Sequence, residues 1–458
     1  MPPTVLYVNP ADSSALPSLS AARDAIRNDA GKSTDGYVVE IAAGTFHLPE
    51  PLELNELDSG GSDAPITYRA AKGATVRLTG GVRLNAFSAV TDQAVLHRLA
   101  PEARGKVVQC DLRAAGVADL GEVAALGKRA ELFVDGKAMT LARWPNEGFT
   151  QIAAVTDAGP ITVHGFNGSS VGRFHYAGDR PTRWKAEPDA WLHGYWFWDW
   201  SDAYQQIAEI DIENKLIATT PPYHHYGYRK DQRYYALNML CELDSPGEFY
   251  IDRQSQMLYL WPPRDLADCE VLLSSLQSLI TAVDVKHTRF EGLTLDSTRD
   301  SAITIEGGED IAVERCMIRN AGKYAVHILG GVNHRVIGCD ITEVGAGGIH
   351  AIGGDRNTLT PCRHTIRNNH IWAFARIART YQPAIGMHGV GVIAENNLIH
   401  DAPHCAILLS GNDHIVRRNE LHSVCYETGD VGAFYMGRDW TARGTVISEN
   451  YFHHIKGP

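Results

Sequence analysis

Apolar and polar residues alternate in short bursts along the second half of the chain, and the bursts recur. From about residue 280 onward, SAITIEGGEDIAVERCMI, YAVHILGGVNHRVIGCDI, GIHAIGGDR with HTIRNNHI, AIGMHGVGVIAENNLI, AILLSGNDHIVRRNEL and GAFYMGRDWTARGTVISENYF follow one plan. Each unit reads as a short alternating strand, a glycine turn, a second strand and a third. A period of two with Gly or Asn at the corners predicts strands rather than helices. Gly307, Gly330, Gly353, Gly389, Gly411 and Gly437 mark the period at intervals of 23, 23, 36, 22 and 26 residues, so two coils carry insertions. A second column, Cys316, Cys339, Asn369, Asn397, Asn419 and Asn450, ends the second strand of each unit. Amides stacked in register can hydrogen-bond along the pile, whereas isolated buried amides at a corner are costly. Asn397 and Asn419 are therefore expected to lie buried and within bonding reach of each other. No Leu-x-x-Leu-x-Leu pattern occurs, which excludes a leucine-rich repeat. The pattern predicts an all-β fold, a right-handed parallel β-helix.

The start of the chain reads as the opening of the same solenoid. SLSAARDAIRN places apolar residues at helical spacing behind a serine cap, which suits a short helix closing the open end. GYVVEIAAGTFHL, APITYRAA and TVRLTGG read as first coils. Between about 86 and 275 the period breaks, and AELFVDGKAMTLARWPNEGF and IDIENKLIATT read as hairpins around Asp-Gly and Glu-Asn turns. The expected organisation is a cap and first coils over 1–85, an inserted β-rich domain over 86–275, and site-bearing coils over 276–458. YFHHIKGP ends in mid-coil without a cap, so a longer natural chain is expected.

Composition narrows the function. A net charge of -12 over 458 residues argues against a nucleic-acid partner, which would need a basic face. No apolar run reaches membrane-spanning length, and MPPTVLYVNP has neither the basic start nor the apolar core of a signal peptide. The eight cysteines form no CxxC pair, which disfavours a zinc ribbon. No glycine-rich loop opens a helix as phosphate binding would require.

The candidate chemistry gathers in the last coils. Aligning units on the turn glycines puts Val326, Ile349, Ile385, Ile407 and Ala433 in one inward column. The outward columns then hold His327, His350, Gly386, Leu408 and Phe434, beside Glu306, Leu329, Ile352, His388, Ser410 and Met436. Loops entering the first strand supply HDAPH and YETGD, and residues after the glycine supply Asp355 with Arg356, Asp413, and Arg438 with Asp439. On this reading Asp401, His404, Glu427, Asp430, Arg438 and Asp439 line one groove. Plainer readings compete: Asp413 suits an Asx turn, Asp355 and Arg356 a local ion pair, and Asp439 a strand-end pair with Arg438. His400, His422 and His453 occupy matching third-strand positions and could simply stack outside the coil. HGYWFWDW, residues 193–200, is either a sugar-stacking wall or the core of the inserted domain.

FVDGKAMTLARWPNEGF, GEFYIDRQSQMLYLWPP, HDAPHCAILLSGNDH and ETGDVGAFYMGRDWTARG resemble the β-helical glycoside hydrolases of the family 141 type. The resemblance spans nearly the whole chain. It implies α-L-fucosidase- or xylanase-like activity with two acidic residues working in a groove, outside the cytoplasm. Carried onto the matching segments, those acids fall among Asp401, Asp430 and Asp439, with Glu427 beside them. Glycosidic cleavage needs one protonated carboxyl and one ionised one, and close acidic neighbours push one pKa up. Contacts to the sugar are expected from His404, His388, His350, Arg438, Arg356, Tyr435 and Trp440. No cofactor or dedicated metal site is expected, although neighbouring carboxylates could take Ca²⁺. The rival enzyme is a polysaccharide lyase or uronate epimerase, which commonly uses a lysine base. Between Lys323 and Lys456 the chain has no lysine, leaving His350, His388, His404 or Tyr435 as bases. A non-catalytic glycan-binding solenoid would need aromatics without paired acids.

Overall fold

A computed structural model describes residues 2–29 and 34–457, which fall into two compact units, 1–81 with 274–458, and 82–273. The first unit is a right-handed parallel β-helix. Among the described residues its first, second and third strands stack into parallel sheets of eight, ten and nine strands. Ser18 accepts a hydrogen bond from the Ala21 backbone N–H at 3.1 Å and caps a helix over Leu19–Asn28. That helix buries Leu19, Ala22 and Ile26 on the end of the solenoid core. No helix among the described residues is long and apolar enough to cross a membrane.

Inside the coils, Ile303, Val326, Ile349, Ile385 and Ile407 pair in register and are fully buried. Each such side chain contributes roughly 1.5–3 kcal/mol by leaving water. The next member of this column is Phe434, not Ala433: Ile407 pairs with Phe434 and Leu408 with Tyr435. Glycine alignment therefore misplaces the last coil by one residue. Its physical basis is clear at Gly389 and Gly411, where a Cβ would lie 2.0 Å from the carbonyl oxygen of the preceding coil. Around Gly437 nothing lies within 4 Å of an added Cβ, so that glycine answers no such demand. The first strand of this coil spans only Phe434–Tyr435, so Met436 leaves the outward column.

The asparagine column forms as the spacing requires. Asn397 donates from its backbone N and its Nδ2 to Asn419 Oδ1 at 3.0 and 2.9 Å, and Asn369 and Asn419 repeat the contact one coil away on either side. Each Nδ2 also reaches a carbonyl, as Asn419 does to Ala394 at 3.0 Å. Asn369 Oδ1 accepts from the Cys339 N–H at 2.9 Å, which joins the thiol coils to the amide coils. A second buried column is made of His334, His364 and His414, whose Nδ1 atoms accept the N–H of Ile311, His334 and Val392, each at 3.2 Å.

The unit over 82–273 is built mainly on antiparallel pairs. Asp135 and Gly136, both at positive φ, turn Leu132–Val134 onto Lys137–Ala138. Asp202–Asp211 and Leu216–Thr219 form a second hairpin. Within HGYWFWDW, His193, Tyr195, Trp196 and Phe197 are buried, and Trp196 packs among Phe174, Tyr228 and Tyr234. This half of the run is core. Trp198 and Trp200, half-buried, hold their rings 7° from parallel.

Candidate active site

Most connections from third to first strand are short, as over 403–406, and two, over 373–384 and 425–433, are longer. The two long loops meet. Arg379 donates from Nε to Glu427 Oε1 at 3.0 Å and from Nη2 to Oε2, a two-nitrogen contact that fits an ionised carboxylate. Its Nη1 holds the Ala375 carbonyl at 2.9 Å, so the guanidinium ties one loop to itself and to the other. Between them runs 403–406, where the Pro403 carbonyl accepts from Thr428 Oγ1 at 2.9 Å.

Beside this clamp stands a group of rings. Tyr381 lies 4.6 Å from the His404 ring and 5.8 Å, edge-on, from Tyr435. Burial pushes the Tyr381 phenol up, and the neighbouring Tyr435 and Asp430 add to the shift against a smaller opposing effect of Arg438. Asp430 and Arg438 thus both lie within electrostatic range of this phenol. Asp430 is exposed and has no hydrogen bond or ion pair among the described residues. Arg438 is likewise exposed and without an ion pair among them. His404 is fully buried, and its Nδ1 accepts the Tyr381 N–H at 3.4 Å. It is a support under Tyr381.

Along the outer face of the first sheet, Tyr324, His327, His350 and His388 form a continuous row. Ring centroids are 5.1 Å apart for Tyr324–His327, 5.2 Å for His327–His350 and 4.8 Å for His350–His388. Tyr324 also stacks on His350. Gly386 makes the row fit, since a Cβ there would meet His350 Cδ2 at 2.8 Å. Burial, then His388, His327 and Lys323, pulls His350 down to about 3, and burial also lowers His327 and His388. These are neutral imidazoles at pH 7, suited to hydrogen bonding. His388 Nδ1 bonds Ser410 Oγ at 2.8 Å. Lys323 reaches Asp300 at 3.6 Å and lies over Tyr324 at 5.4 Å, so a lysine does border the row.

The opposite end of the strand is differently organised. Arg356 donates to Asn412 Oδ1 at 3.0 Å, Asp439 Oδ2 at 2.7 Å and Thr441 Oγ1 at 2.6 Å. Asp439 pairs with Arg356, not with Arg438. Hydrogen bonds from the Thr441 hydroxyl and N–H, then from Arg356, keep its carboxyl below the usual range. Asp355 accepts from the Asn357 N–H at 2.8 Å, a local turn rather than an ion pair with Arg356. Asp401 leaves the group altogether. Its strand belongs to the third sheet, and its Oδ2 lies 2.8 Å from His400 Nδ1. Trp440 is fully exposed.

The structure thus gathers Glu427, Asp430, Tyr435, His404 and Arg438 at one end of the strand, and Arg356 with Asp439 at the other. His350 and His388 lie along the sheet face. Arg379 and Tyr381 were missed in the sequence. Their signal was the 36-residue interval between Gly353 and Gly389, since an insertion in a regular solenoid goes where function is added.

A family model described as a right-handed β-helix region matches residues 278–439. No curated protein matches the chain. A solved structure described as a glycoside hydrolase aligns at a TM-score of 0.80 with 18% identity, covering 98% of this chain and 88% of that one. The structure of XylC with xylose aligns at 0.53 with 12% identity, covering 98% and 64%. At these identities the chain is similar to both in fold, and the fold is what the likeness establishes.

Proposed function

We propose that the protein is a glycan-acting enzyme, a glycoside hydrolase of the family 141 type, working on the outer face of its first sheet. The observation that carries this reading is the meeting of the two long loops: Arg379 fixes Glu427, Tyr381 and Tyr435 stand in ring contact, and Asp430, three residues from Glu427, is exposed with no partner among the described residues. In this reading Asp430 serves as the general acid or base, and Glu427, held by both guanidinium nitrogens of Arg379, as the ionised partner. Tyr381 and Tyr435 offer ring faces and hydroxyls to a sugar, and neutral His350 and His388 offer nitrogen donors and acceptors without charge. The fold relatives support a carbohydrate substrate, and a polymeric one fits a working place outside the cytoplasm. A Ca²⁺ ion plays no part in this reading.

The test is a panel of chromogenic aryl glycosides, with fucosides and xylosides first, run beside absorbance at about 235 nm on uronate polymers, which reports the unsaturated product of elimination. With a substrate in hand, Asp430→Asn should lower kcat by about 10² or more while near-UV circular dichroism is retained. Turnover unchanged in both Asp430→Asn and Glu427→Gln would remove this site. One observation favours elimination as the second reading: Lys323 borders the histidine row and could neutralise or deprotonate a uronate. Rising absorbance at that wavelength, lost in Lys323→Met, would select it.

A further inference from the structure

The outer face of the third sheet carries a second histidine row, unrelated to the site above. His400, His422 and His453 pair in register on adjacent strands. Their rings stack at 4.7 Å in both steps, 8° and 19° from parallel. His370 extends the row, with its Nε2 2.8 Å from His400 Nε2. Carboxylates flank it: Asp401 at His400 Nδ1, Glu420 Oε1 at 3.1 Å from His453 Nε2, and Asp340 at 3.6 Å from His370 Nδ1.

Stacking alone does not account for where the nitrogens point. The buried histidines of the inner column spend theirs on backbone groups, as His334 does on the Ile311 N–H and the Gly307 carbonyl. In the outer row His370 and His400 point at each other, and His370, His400 and His453 point at carboxylates. Glu420, His422 and His453 each bring one ligand atom within 4.8 Å of the other two. His422 Nδ1 is bonded to Ser423 Oγ at 3.1 Å, which leaves Nε2 as its outward nitrogen. Two donors on one tetrahedral zinc ion stand about 3.3 Å apart, close to the separation already held by Glu420 and His453.

We propose that Glu420, His422 and His453 form a binding site for a divalent transition ion of the Zn²⁺ class. Two imidazoles and one carboxylate suit zinc, whereas Ca²⁺ and Mg²⁺ prefer oxygen ligands alone. Three protein ligands leave a coordination position for water or an added ligand. His422 and His453 belong to neighbouring strands of the third sheet, so the ion straps one coil to the next. His400, stacked on His422 and bonded to Asp401, buttresses the His422 ring.

The experiment is a Zn²⁺ titration of the full chain after chelator dialysis, competed against a chromogenic chelator, with Co²⁺ visible absorption reporting ligand geometry. One equivalent should bind saturably, and Co²⁺ should give visible bands. Losing a residue that only orients a metal ligand costs about 10–100-fold in affinity, so losing a ligand itself, in His422→Gln or His453→Gln, should cost at least about 100-fold. Those changes also disturb the stack, so Glu420→Gln, exposed and nearly isosteric, provides the separating measurement. It should weaken Zn²⁺ at least about 10-fold with the row intact. His47→Gln, on an exposed position outside the row, should leave binding unchanged. Absence of a saturable equivalent, or full affinity in Glu420→Gln or in the His422→Gln, His453→Gln double variant, overturns the site.

Discussion

Asn419→Leu tests the amide column where its bonds are seen on both sides. The side chain is 1% exposed, so water cannot replace what is lost. Its Oδ1 accepts from the Asn397 N–H and Nδ2, and its Nδ2 donates to Ala394 O and to Asn450 Oδ1. Leucine removes all four. Asn397 Nδ2 keeps the Ile366 carbonyl at 3.0 Å, and Asn450 Oδ1 keeps the Asn419 N–H. The backbone N–H of Asn397 keeps nothing. The cost is therefore one wholly orphaned donor and one half-satisfied amide, at roughly 1–3 kcal/mol each. Burial of the leucine offsets part of this, up to about 2 kcal/mol, so a net loss of ~2–4 kcal/mol is expected. Asn396 supplies the control. It also bonds across coils, to Asn368 at 2.7 Å, but on an exposed edge, and its φ of 54° is one that glycine adopts freely, so Asn396→Gly should cost at most about 0.5 kcal/mol. Chemical denaturation gives the free energies, and native-state hydrogen exchange reads the Asn397 amide directly. Should Asn419→Leu match the control, with the Asn397 amide still protected, the column is not what holds these corners together.

Gly411→Ala should cost about 3 kcal/mol or more, because its φ of 113° is strained for an L side chain and its Cβ would meet Gly389 O. Gly437→Ala, with open space around it, should be near neutral by the same denaturation. Asp439→Asn should leave kcat on a cognate glycoside within about threefold while loosening the 439–441 turn, visible as faster proteolysis, since this carboxylate is occupied by Arg356 and Thr441. Acid should destabilise the solenoid early. His334, His350 and His364 are lowered, mainly by burial, to about 4, 3 and 3, so the unfolded chain binds more protons than the folded one below about pH 6.5. That stability is fully present above the unfolded pKa and is lost as pH falls toward 4, at up to ~1.4 kcal/mol per histidine per pH unit. Denaturation at pH 7 and pH 5 should separate clearly, and His364→Gln should narrow the gap.

The solenoid, its capping helix and the asparagine column could be read from the chain because every coil poses the same local problem. A corner with a buried backbone N–H needs an acceptor, and a strand with one face in the core needs alternation, so the answers recur at a fixed period. Sequence also singled out the segment around Glu427 and Asp430, because it enters the outward strand with acids close together. What it could not decide was which charges meet. Arg379 with Glu427 and Arg356 with Asp439 are pairs between different coils, set by how far two irregular loops reach. Asp401 reads as a neighbour of Asp430 along the chain, yet its strand belongs to another sheet, where His400 takes it. The last-coil register slipped for a related reason. The glycine rule holds where successive coils press backbone on backbone, at Gly389 and Gly411, and lapses at Gly437, where nothing approaches. Local periodicity is written into each repeat, whereas contacts between insertions depend on loop lengths and exit directions, which only the folded chain fixes.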